Sequence, residues 1–143
     1  MIDASKIQNS HLLIDIFGEF PSFHDAEVHQ INLIRGEVRR FSPMLTALIN
    51  VFQLTSKVDE NRQFISKNHV LVEMSFKGVS GLEVVDFNYQ NVLQSLAITE
   101  DLEAESEKAR FEVLFEGIFG VSAKFRCEAV SIESVSPAQH KAI

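Results

Sequence analysis

The segment from Phe111 to Ala129 limits the possible folds more than any other part of the chain. Phe111, Val113 and Phe115 alternate with Glu112 and Glu116, and after Ile118-Phe119-Gly120 the residues Val121, Ala123, Phe125, Cys127 and Ala129 alternate with Ser122, Lys124, Arg126 and Glu128. Successive strand side chains point to opposite faces, so two such runs around a glycine-containing turn specify an antiparallel hairpin with one dry and one wet face. With Gly120 in the left-handed position of a three-residue loop, residue 117 pairs with 121. Counting outward sets Glu112 opposite Arg126 and Phe111 opposite Cys127, so charge and apolarity agree on one register.

The remaining segments extend this strand-rich reading. Leu13, Ile16, Phe17 and Phe20 recur at helical spacing, with Asn9 or Ser10 as a cap, Gly18 near the stop and Pro21 beyond it. From Ala26 the apolar residues alternate in two frames, Ala26 with Val28 and then Ile31 with Leu33. A β-bulge near His29 or Gln30 would bring both pairs to one side, and a strand covered on both faces would also account for them. Leu45 to Leu54, apolar on both faces, suggests a central strand. The polar residues 55–68 suggest a long hairpin connection, and Val70, Val72, Met74 and Phe76 mark a half-exposed strand. Leu82 to Phe87 reads as another strand, with Asn88 then capping a short helix near residues 88–96 that carries Val92, Leu93 and Leu96. Val130, Ile132 and Val135 either continue the last strand past a bend or form a separate one, and residues 136–143 are expected to fray. The expected class is α+β, mostly β, an antiparallel sheet or sandwich of about six to seven strands with an N-terminal helix.

Length and composition confine what such a domain can do. At 143 residues the chain suits one domain over residues 1–143 with one core. A net charge of −7 argues against nucleic acid, which is held by clustered Lys and Arg, and permits a basic protein partner. Twelve Phe against one Tyr and no Trp suggest rings used to fill a core, so most of the Phe are expected to be buried. The single cysteine, Cys127, excludes an internal disulfide framework, and it falls in the dry frame of its strand as an inert thiol. Neither a signal core nor a membrane-length apolar run is present, so a cytoplasmic protein is expected.

Phe23-His24-Asp25-Ala26-Glu27-Val28-His29 is the one dense group of ligand-type residues. On an extended strand Asp25, Glu27 and His29 share a face, which makes a mixed nitrogen and oxygen metal site conceivable. Ligands spaced along one strand diverge unless another element closes over them, so the simpler reading has Asp25 bonding backbone groups after the turn and Glu27 facing water. No cofactor is expected. Ser22 and His24 lack the glycine-flanked elbow of many serine hydrolases. Asn88, Gln90 and Asn91 form an amide cluster after Phe87; besides the cap, Gln90 and Asn91 could reach the turn after Pro21 as a buried polar clasp. The acidic run 100–107 is either a solvated loop or a surface that steers a basic partner.

The stretch Phe20-Pro21-Ser22-Phe23-His24-Asp25-Ala26-Glu27-Val28, with Phe87-Asn88-Tyr89-Gln90-Asn91-Val92-Leu93 far downstream, resembles the immunity protein 50 family of bacterial polymorphic toxin systems. The likeness extends more loosely through Gly120 to Cys127. Where that family often carries a tryptophan before the proline and a histidine after the asparagine, this chain has Phe20 and Tyr89. The resemblance implies a mostly-β fold, no catalytic residues, and a role in neutralising a cognate protein toxin. On that reading Glu100, Asp101, Glu103 and Glu105 are the expected partner-binding residues. Pro21, Phe23, His24, Asp25, Glu27, Phe87, Asn88, Gln90 and Asn91 are then chiefly structural. The rival readings are a small metal-binding or metal-assisted hydrolase domain using Asp25, Glu27 and His29, and a subunit that forms a homodimer through an open sheet edge.

Overall fold

The computed structural model describes residues 1–106 and 109–138. Glu107 of the acidic run and residues 139–143 of the expected tail lie outside the described residues. A 3-10 turn at Ala4–Lys6 and a helix α1 at His11–Phe17 precede eight strands. These are β1 (Glu27–Ile34), β2 (Met44–Val58), β3 (Phe64–Lys77), β4 (Ser80–Val85), β5 (Val92–Glu100), β6 (Phe111–Phe119), β7 (Ser122–Cys127) and β8 (Ala129–Pro137). Ser136 and Pro137 thus belong to a strand, paired with Leu71 and Val70.

All eight strands lie in one sheet of order β4-β7-β6-β5-β1-β2-β3-β8, with antiparallel pairing throughout. Lys77 pairs with Ala129 and Ser80 with Arg126, so β3 runs into β4, and β7 into β8, as two long strands paired along their length. Both turn the same corner, at Gly78 and Glu128, where the Glu128 N–H donates to the Lys77 carbonyl at 2.8 Å. Gly78 has φ +71° and a Cβ there would crowd Cβ of Glu128, so the two backbones approach closely only because the side chain is missing. The corner returns the sheet to itself and leaves six long ribbons around one interior. Eight strands are found where six to seven were expected because β5 stands in place of the expected short helix and β8 is a strand of its own. The ring closes at a thin seam, where Glu27 of β1 pairs with Val92 of β5.

Inward positions follow the alternation read from the sequence. Val70, Val72, Met74 and Phe76 of β3 are buried, as are Phe111, Val113 and Phe115 of β6 and Ala123, Phe125 and Cys127 of β7. The hairpin register is the expected one, with Phe111 opposite Cys127 and Glu112 opposite Arg126. Phe76, Phe115 and Phe125 meet at centroid distances of 5.1–6.1 Å, and each buried ring contributes about 2–3 kcal/mol through removal from water. β2 occupies the central position expected of it, between β1 and β3. The connection expected over 55–68 is much shorter, because the strands continue to Val58 and resume at Phe64.

Two features of the strands at the seam need a separate physical account. The bulge expected near His29 is present, since β1 shifts register between Val28 and Gln30. It brings Ile31 against the core but leaves Leu33 61% exposed near the end of the strand. The short helix expected near residues 88–96 is not formed; residues from Val92 onward are strand β5, and Asn88 caps nothing. β5 is interrupted twice, between Val92 and Leu93 and between Leu93 and Ser95, so its buried residues are Leu93, Leu96 and Ile98. A bulge turns the period of two into a step of three, which imitates a helical turn.

At the N-terminus α1 ends as expected at Gly18, whose left-handed φ of 83° lets its N–H reach the Ile14 carbonyl at 2.8 Å. Ser10 occupies the N-cap without a side-chain bond. Gln8 lies against β8, accepting from Ile132 N and donating to Val130 O, and so covers that edge. The outer edge of β4 has no strand beside it among the described residues. No described helix is long and apolar enough to cross a membrane.

Candidate functional site

The two sequence motifs, more than sixty residues apart, meet at the β1–β5 seam. Asn91 is 3% exposed and its amide is fully used. Nδ2 donates to the carbonyls of Val28 at 3.2 Å and Asn88 at 2.7 Å, while Oδ1 accepts from Asn88 N and Val121 N, each at 3.0 Å. One neutral side chain therefore ties β1, the loop 86–91 and the turn before β7 together. Backbone bonds reinforce it, Val28 N to Asn91 O at 2.8 Å and Asp25 N to Leu93 O at 2.9 Å. A buried clasp from Gln90 and Asn91 to the turn after Pro21 was expected; the Asn91 side chain reaches Val28 of β1 and Val121 instead, and the Gln90 N–H stays within its own loop on Asn88 Oδ1.

Gly120 completes the arrangement. Its φ is +73° and a Cβ would overlap the Gln90 carbonyl and Asn91 Oδ1, so the turn closes on the loop only with glycine. Asn88, instead of capping a helix, folds the loop locally, its Oδ1 accepting from Gln90 N at 2.9 Å and its Nδ2 donating to Asp86 O at 3.1 Å.

On the outside of this locked junction large apolar side chains are exposed among the polar Asp86, Asn88 and Gln90. Tyr89, the only tyrosine, is 96% exposed, and Phe87 of the same loop and Ile118 and Phe119 at the end of β6 are exposed too. The expectation that most Phe are buried is corrected here. Phe23, Phe76, Phe111, Phe115 and Phe125 are buried, but Phe41, Phe87 and Phe119 face solvent. Exposed aromatic side chains on rigid supports have the character of protein-binding anchors. The sequence signal for Phe119 was its place beside the turn glycine, where alternation ends and no core position remains.

In the first motif Phe23 is buried with φ +64°, and it packs on Phe20 with centroids 5.8 Å apart. The His24 ring meets the Gln94 carbonyl at 3.0 Å through Nδ1 and the Asp25 carboxylate at 3.6 Å through Nε2. Glu27 meets His29 at 3.2 Å. Asp25 thus faces an imidazole, and Glu27 is paired rather than turned to water alone. The potential metal ligands stand as two separate pairs, and no group of three or more converges among the described residues. The Cys127 thiol is buried, and loss of solvation pushes its pKa up to about 12.

The acidic residues lie at the other end of the β5–β6 hairpin. Glu100 is held between Lys6 and Arg110, the latter at 2.8 Å, and these hydrogen bonds keep its carboxyl below the ordinary value. Asp101 accepts from Arg126 at 3.3 Å and from the Glu103 N–H at 3.0 Å. Glu103 and Glu105 are exposed. The four acids therefore divide into two that anchor the loop and two that present charge.

Residues 9–138 match the family model described as Immunity protein 50. Neither the curated proteins nor the solved structures give a match.

Proposed function

The chain belongs to the Immunity protein 50 family, and from that premise we propose that it binds a cognate bacterial protein toxin in the cytoplasm and blocks it, without catalysis or a cofactor. The observation that supports this reading is the exposure of Phe87, Tyr89, Ile118 and Phe119 on the segments that the Asn91 side chain joins. A surface ordered before binding loses little further entropy when a partner docks, so its aromatic area contributes to affinity. Glu103 and Glu105, with Glu100 and Asp101 holding the loop beneath them, supply the long-range attraction that speeds encounter with a cationic toxin.

Capture of the product of an adjacent reading frame, together with rescue of growth when that product is expressed, tests the proposal. The wild-type chain is expected to capture and rescue, and the double variant Y89A/F119A to lose both while remaining folded. Rescue that survives the double variant would show that the aromatic surface is not the binding face. Failure of capture and rescue with every neighbouring product would remove the neutralisation reading.

The free edge of β4 favours one second reading, self-association by strand pairing. β4 is only six residues long, shifts register between Ser80 and Glu83, and carries Glu83, features that discourage such pairing. Light scattering at high concentration is expected to give a monomer, and a dimer abolished by a proline in β4 would establish the alternative.

A further inference from the structure

A depression of about 220 Å³ opens beside the first motif, walled by Phe17, Pro21 and Phe52 and rimmed by Glu19, His24 and Asp25. Phe52 is held by stacking on His69, with centroids 5.1 Å apart and planes 16° from parallel. No Lys or Arg lines the space. Glu19 is exposed and has no ion pair among the described residues, and Asp25 meets only the His24 ring at 3.6 Å. Two carboxylates without a strong cation thus stand over apolar and aromatic walls.

We propose that this depression receives one arginine side chain of a protein partner; the further step, that the partner is the toxin, rests on the neutralisation reading. Its volume is below the range of about 300–1,000 Å³ typical of sites for whole small molecules, and suits a single side chain. A guanidinium is planar and weakly hydrated, so it lies against an aromatic wall while its N–H groups reach a carboxylate. An ammonium is a compact, strongly hydrated charge and uses such walls less well. Asp25 and Asn91 adjoin the same seam, through the bonds of Asp25 N to Leu93 O and of Val28 N to Asn91 O.

Amide NMR spectra of the full chain, titrated with acetyl-Gly-Arg-Gly-amide and with the matching lysine and citrulline peptides, test the site directly. The arginine peptide is expected to shift amides of residues 17–25 and 52–53, the lysine peptide to do so more weakly, and the uncharged citrulline peptide not at all. Glu19→Gln is expected to weaken arginine binding about tenfold. Asp25→Asn does the same without disturbing the fold, since asparagine tolerates the positive φ of 65° there. Equal shifts with citrulline, or shifts confined to residues 100–106, would overturn the proposal. In growth rescue, undiminished protection by Glu19→Gln with Asp25→Asn would overturn the step to the toxin. Arginine binding in a chain that rescues from no neighbouring product would keep the site and discard the neutralisation reading.

Discussion

The two ends of the β5–β6 hairpin, about 25–30 Å apart for strands of nine residues, are held in different ways. At the β1 seam a buried neutral amide joins a loop and a turn, and large apolar side chains are exposed outside it. At the far end the base of an acidic loop is fastened by ion pairs of Glu100 and Asp101 with Lys6, Arg110 and Arg126, whose cationic side chains are 40–49% exposed. Buried neutral bonds hold their geometry in salt, whereas exposed ion pairs are screened and individually weak. On the proposed reading, the first end fixes a bound geometry and the second acts at a distance on an approaching partner.

The largest expected effect comes from Asn91→Ala, which leaves the Val121 and Asn88 N–H groups and the Val28 carbonyl without a partner. A loss of about 3 kcal/mol in urea unfolding is expected, with faster hydrogen exchange at Val121. A loss under about 1 kcal/mol would mean that the clasp is not the element that orders this end. Next, Tyr89→Ala is expected to change stability by less than about 0.5 kcal/mol and to weaken toxin binding by about 2 kcal/mol, measured by calorimetry. The opposite pattern would place Tyr89 in the structure rather than the interface.

Smaller effects sharpen the contrast at the acidic end. Charge reversal at Glu103 and Glu105 is expected to slow association by severalfold at low salt, and the difference to vanish near 1 M, where the Debye length is about 3 Å. A salt-independent change in dissociation would instead make the loop a direct contact. The smallest concerns Glu133, whose carboxyl is kept below its ordinary value of 4.5 chiefly by hydrogen bonds from Ser131 and Ser75. A depressed folded pKa means stability gained above the unfolded value and lost as pH falls through the folded one. Glu133→Gln should therefore lower the melting temperature slightly at neutral pH and leave the acid end nearly unchanged, which flattens the acid side of the profile.

Much of the β6–β7–β8 region was legible in the sequence because nothing interrupts its alternation before the bend. Phe111 to Cys127 alternate cleanly and Gly120 marks the turn, so register followed from counting. β5 was not legible: its two bulges put Leu93 and Leu96 three residues apart, and the amides before it looked like a helix cap. The closed ring was equally hidden, since the corner depends on Gly78 meeting Glu128 across fifty residues of chain. Of the site, the burial of Asn91 as a polar tie between distant segments was readable, but not its partners Val28 and Val121 or the exposed rings outside it. Phe87 carries the same letter as a core ring, and only the topology places it outside.

Hydrogen exchange of the chain, alone and with a captured product of an adjacent reading frame, bears most directly on the proposed neutralisation. Slowed exchange on binding is expected at backbone amides within 86–90 and 118–120, with little change over 101–106. Protection confined to the acidic loop or to the β4 edge, with residues 86–90 and 118–120 unaffected, would contradict an interface built on the locked aromatic surface.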